Sequence, residues 1–160
     1  MASNALIETL KSEVVQILQE TFEHSNGIYL YRGTSLFESL ADVTFEEASR
    51  PICSEQTTLA AQVKHTAFYL RVLEDDIKGK SADAVDWEEI WRTTHTVSPD
   101  EWDAIRDDLR TAYQNLLQSL ETPEFWESEN GIAGVLAMAS HSAYHLGVVR
   151  QALHTLHVKK

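Results

Sequence analysis

What most limits the fold of this chain is how seldom its regular elements can be interrupted, since six Gly and three Pro serve all 160 residues. Between these breaks, apolar side chains recur every three or four positions, the period of a helix face. Residues 3–25 read as a first helix capped by Ser3, with Leu6, Ile7, Leu10, Val14, Ile17, Leu18 and Phe22 at helical spacing. "HSNG" closes it, Asn26 and Gly27 being suited to the left-handed conformation of a helix end. A short helix is expected over 34–42, followed by a connector through Pro51.

A second long helix begins between Ser54 and Thr58 and runs to Gly79, apolar over the wide arc of a core helix. Residues 78–97 form the longest connection; polar ends and two Trp suggest a loop that packs back on the helices. "SPDE" at 98–101 is the best cap in the chain. Ser98 accepts from the first turn, Pro99 suits the first helical position, and Glu101 completes a capping box. The third helix then reaches Leu120, with Trp102, Ile105, Leu109, Tyr113, Leu116 and Leu117 inward, and a fourth covers 132–157. Four long helices, one short one and no alternating strand pattern predict an all-α antiparallel bundle. A single domain over 1–160 is expected.

Charge narrows the partners. With 13 basic and 25 acidic residues the formal net charge is −12, whereas nucleic-acid binding starts from a basic patch and anionic membranes attract cations. No basic stretch followed by an apolar core marks a signal peptide, and no run of about 18 apolar residues suggests a membrane span. Cys53 is the only cysteine, so an intrachain disulfide and a Cys-based zinc site are excluded, and a reducing cytoplasm is the expected location.

The remaining chemistry lies with the histidines. In "HSAYHLGVVRQ" (141–151), His141 and His145 project about 40° apart from adjacent turns of one helix face. Gly134, Ala137, Met138, Val148 and Ala152 share that face. His65 lies mid-helix beside Ala61, Phe68, Tyr69 and Val72 and is expected to point inward. His154 and His157 fall on the opposite side, His24 at a helix end and His95 in the long loop. Two readings stand: core histidines with one hydrogen-bond partner each, or a metal tripod with two ligands from one helix and the third from another. No Glu stands three residues before any His, as di-iron bundles require, and neither H-E-x-x-H, G-x-S-x-G nor a phosphate-binding Gly loop occurs.

In combination these residues resemble the DinB-like (DNA-damage-inducible) superfamily of four-helix bundles, which includes thiol-dependent S-transferase-like proteins and is unrelated to the DNA polymerase of similar name. "TTLAAQVKHTAFYL" holds His65 where the family places a second-helix ligand. "HSAYHLGVVR" holds His141 and His145, followed by Gly147 and Arg150. "DWEEIWRTTHTVSPDEW" is similar to the family's Trp-punctuated loop before the third helix. The resemblance runs from about residue 5 to 157. It implies an up-down-down-up bundle, often a homodimer, with a divalent metal, zinc or nickel, on His65, His141 and His145.

Such a site lowers the pKa of a bound water towards about 7 and ionises a bound thiol more readily still. Hydrolysis or S-transfer on a small-molecule substrate, such as a low-molecular-weight thiol, therefore follows from the resemblance. Tyr69, one turn from His65, is either a substrate hydrogen-bond partner or packing, and Cys53 is not expected to be a nucleophile. The alternative is a non-catalytic dimeric bundle that binds a metal or small molecule.

Overall fold

A computed structural model describes residues 2–52, 57–80 and 85–158, with side chains described over 5–52, 57–80 and 85–157. The described residues are all-helical. Four long helices, α1 (Ala2–Phe22), α4 (Leu59–Ile77), α6 (Pro99–Leu120) and α8 (Gly131–Val158), are linked through four short ones. These are α2 (Leu36–Leu40), α3 (Phe45–Ala48), α5 (Glu89–Thr93) and α7 (Pro123–Glu127). Among the described residues there is no strand, only an isolated bridge between Pro51 and Thr58.

The long helices share one hydrophobic cluster. Leu18 and Phe22 enter it from α1, Leu59 and Leu70 from α4, Leu109 and Leu116 from α6, and Met138 and Leu146 from α8. Removing each of these side chains from water contributes about 1.5–3 kcal/mol, which is what holds helices of ordinary propensity together. α4 packs against both α6 and α8, and α1 against α8 and α6, so α4 brings whatever its flank carries up to α8. Trp102 is buried and its indole N–H donates to the Val43 carbonyl at 2.8 Å, tying the segment between α2 and α3 to α6.

Capping chemistry sets several boundaries where the sequence places them. Ser98 caps α6 with Glu101 in a full capping box and Pro99 in the first turn, and the helix ends at Leu120. Thr58 caps α4, its hydroxyl accepting from the Ala61 amide at 3.2 Å. Other expectations need correction. α1 starts at Ala2, so Ser3 lies within the helix, and it ends at Phe22, not at residue 25. The reason for the early end is Glu20, fully buried, whose carboxylate accepts from the backbone amides of Asn26, Ile28, Tyr29 and Leu30. These bonds pull the chain out of helical geometry; Gly27 takes a left-handed φ of 82°, whereas Asn26 does not.

The short helix is narrower than 34–42 and is capped by Ser35 with Glu38. Segments expected to be irregular contain α3, α5 and α7. Thr44 and Glu47 form a capping box for α3, and Pro123 opens α7. Single-turn helices bury too little of one face to leave a periodic signal, and of these three only α3 carries a side-chain cap. Leu6 is 71% exposed despite its helical spacing, so the α1 stripe packs from Ile7 onward. α8 is, by length and composition, apolar enough to cross a membrane, contrary to the sequence expectation. In this fold its stripe through Val135, Met138, Leu146 and Val149 is buried in the core.

Candidate metal centre

His65 on α4 and the pair His141 and His145 on α8 meet where these helices pack. The buried stripe of α8 runs through Val135, Met138, Ser142, Leu146 and Val149. At about 100° per residue, His145 and His141 stand roughly 80° and 120° round from Val135. They therefore occupy the flank of the core stripe, on the face that also carries buried Met138 and Ala152. His65 and His145 are buried and His141 is half-buried. Nε2 of His141 lies 3.2 Å from Nε2 of His65 and 2.9 Å from Nε2 of His145. Each ring offers one ligand atom, and these atoms lie within 4.8 Å of one another.

Protons alone cannot satisfy this arrangement. Nδ1 of His145 is 2.6 Å from Oε1 of Gln62, an acceptor, which favours the tautomer with its proton on Nδ1 and a lone pair on Nε2. If His141 donates to that lone pair, its Nε2 has nothing left with which to accept from His65. If His65 donates to His141, then His141 and His145 face each other lone pair to lone pair. One N···N contact is left uncompensated either way, whereas a cation satisfies all three nitrogens together. Bonds of about 2.0–2.1 Å to a tetrahedral zinc would set ligand nitrogens about 3.3 Å apart, near the 3.2 Å between His65 and His141 and somewhat above the 2.9 Å between His141 and His145.

The protonation states fit the same reading. Burial pushes the His141 imidazolium down to about 4, aided by neighbouring His65. Burial pushes His145 down to about 3, with His141 and His65 adding to the effect. His65 is lowered by burial, partly opposed by the Glu88 carboxylate. Neutral rings with available lone pairs are what metal ligation requires. Nδ1 of His65 is buried with no hydrogen-bond partner, which costs about 1–3 kcal/mol for an unsatisfied polar group.

Aromatic side chains wall the cluster. Tyr69 stacks on His141 with ring centroids 3.5 Å apart, and Trp91 lies 4.6 Å from His65. Trp87 packs edge-on to Phe68 at 5.6 Å and reaches Tyr69 at 5.8 Å. Residues 85–97 thus do fold back on the long helices, as expected, and α5 within them carries Trp91 against a candidate ligand.

The remaining sequence candidates lie elsewhere. His24, His95 and His154 are exposed; His95 contacts the Arg92 carbonyl at 3.0 Å. His157 lies 3.3 Å from Glu47. Arg150 is exposed on α8, and a side chain at Gly147 would meet nothing within 4 Å. Cys53 lies outside the described residues. Sequence reasoning passed over Gln62 and the individual placement of Trp91. Gln62 could have been flagged, because it stands three residues before His65 and shares its face; Trp91 could not, since its contact depends on how a loop folds.

Comparison of the chain with protein-family models, with curated proteins and with solved structures finds no match.

Proposed function

We propose that this chain is a divalent-metal-dependent enzyme of the DinB-like kind, built as an up-down-down-up four-helix bundle around a His65–His141–His145 site. The observation that carries the proposal is the convergence of three neutral Nε2 atoms, with N···N contacts of 3.2 and 2.9 Å that protons cannot satisfy together. Zinc or nickel suits an all-imidazole site. Three ligands among the described residues would leave a coordination position open, unlike the four of closed structural zinc sites.

Held by His65, His141 and His145, a divalent ion would keep its full charge and would acidify a water or a thiol, the chemistry needed for hydrolysis or S-transfer. The chain's own residues do the rest. His65, His141 and His145 supply the lone pairs, and burial keeps those lone pairs free of protons at neutral pH. Tyr69 and Trp91 pack on the rings of His141 and His65 and restrain them from the α4 side. Low-molecular-weight thiols are the proposed substrate class. A cytoplasmic homodimer completes the reading, with exposed Ile132, Leu136 and Tyr144 giving α8 an apolar outer face that a second copy can cover.

A non-catalytic metal-binding bundle is the second reading, favoured by the close packing of Tyr69 and Trp91 on two of the rings. Elemental analysis of untagged wild type, His65→Ala and His145→Ala tests the site. Near-stoichiometric metal in wild type and none in the folded variants is expected. A wild type that takes up neither zinc nor nickel would sink the proposal. Turnover of a thiol by the loaded wild type separates the enzyme from the second reading.

A further inference from the structure

The three histidines are not held alike. Nδ1 of His145 has a carboxamide oxygen at 2.6 Å, whereas Nδ1 of His65 is buried without a hydrogen-bond partner. Tyr69 and Trp91 restrain His141 and His65 only through ring contact. Gln62 is itself buried, at 7% exposure, one turn before His65 on α4, so its amide reaches across the α4–α8 contact to a ring 83 residues away.

We infer that Gln62 is the positioning residue of the site, fixing the Nδ1–H tautomer of His145 and so aiming the Nε2 lone pair at the other two rings. The inference rests on the metal-site reading above and goes beyond it by assigning a role to a residue that is no ligand. A carbonyl oxygen can only accept, so an imidazole beside it at this distance must donate. The proton that would otherwise block Nε2 is thereby parked on the far nitrogen, and the ring cannot rotate without breaking a buried bond. Hydrogen-bond partners behind metal-bound histidines act in this way, and their loss lowers metal affinity 10- to 100-fold. An amide differs from the carboxylate often found in that position, because it orients the ring without adding negative charge. A Gln62-backed site therefore keeps more of the ion's positive charge than a Glu-backed one.

Two measurements test the role. The first is nitrogen-15 NMR of the metal-free wild type, which reads the tautomer of each ring. Protonated Nδ1 and bare Nε2 are expected at His145, and a proton on Nε2 would overturn the assignment even if every variant misfolded. The second is competition with a chromophoric chelator for zinc, using wild type, Gln62→Leu and Gln62→Glu at matched helicity. Gln62→Leu is expected to bind 10- to 100-fold more weakly, and Gln62→Glu, which restores an acceptor, at least as tightly as wild type. Equal affinity of wild type and Gln62→Leu would discard Gln62 while leaving the tripod intact. A wild type that binds no zinc would remove both.

Discussion

The phenol ring of Tyr69 lies almost flat on the imidazole of His141, with centroids 3.5 Å apart and planes inclined by 15°. This pairing crosses from α4 to α8, one turn beyond His65, and fixes the plane of a ring that, among the described residues, otherwise meets the side chains of His65 and His145. It places Tyr69 as a wall of the site through its ring face. Burial also raises the phenol's pKa, so the hydroxyl stays protonated at neutral pH.

Tyr69→Phe keeps that ring and is expected to bind zinc within about twofold of wild type. Tyr69→Ala removes it and is expected to weaken binding by several-fold, less than Gln62→Leu, because no hydrogen bond is lost. Isothermal titration of the three proteins checks the order. A Tyr69→Phe protein that binds zinc normally but loses turnover would move the hydroxyl from wall to substrate contact.

Metal should stabilise the fold through these rings. Zinc at about 100 times its Kd adds about 2.7 kcal/mol when the unfolded chain does not bind it. For a chain of this size that corresponds to a rise in Tm of about 5–10 °C. Differential scanning fluorimetry with and without zinc is expected to show the rise in wild type and its absence in His65→Ala, His141→Ala and His145→Ala. An equal rise in the variants would place the metal elsewhere.

The metal-free protein should weaken in acid. His141 and His145 titrate at about 4 and about 3 when folded, against an ordinary value of 6.5. The unfolded chain therefore binds more protons between those limits, and stability falls with falling pH wherever that holds. The contribution is complete above about pH 6.5 and is lost progressively towards pH 3. Urea midpoints of chelator-treated protein are expected to drop from pH 7.5 to 5, and to drop less in a His141→Ala, His145→Ala double variant. A midpoint independent of pH over that range, or an equal drop in the double variant, would contradict the buried neutral imidazoles.

Glu20 is the most exacting polar group outside the site. Burial alone would raise its pKa, yet hydrogen bonds from the Leu30, Tyr29, Ile28 and Asn26 amides outweigh burial and hold it below 4.5. Its stabilisation is present above the ordinary carboxylate range and is lost as pH falls through the lowered value. Glu20→Gln replaces an acceptor-only carboxylate by an amide whose NH2 faces backbone donors. The substitution is expected to cost about 1.5–3 kcal/mol, read from urea unfolding at pH 7. A change under 0.5 kcal/mol would mean that the 26–30 segment is held by other contacts.

Local physics determined much of this protein from its sequence. Ser98, Pro99 and Glu101 start α6 through bonds within four residues, and the spacing of His141 and His145 fixes their mutual direction wherever the helix goes. Relations made across helices were decided only in three dimensions. Helical period told that His141 and His145 share a face, but only the packing of α4 against α8 made that face a flank of the core and brought His65 up to it. The end of α1 belongs to the same class, since Glu20 stops the helix by capturing amides up to ten residues downstream. So does the Gln62 oxygen behind His145: a periodic pattern records which side of a helix is apolar, whereas a hydrogen bond between two helices depends on their rotation and stagger, which only the completed packing sets.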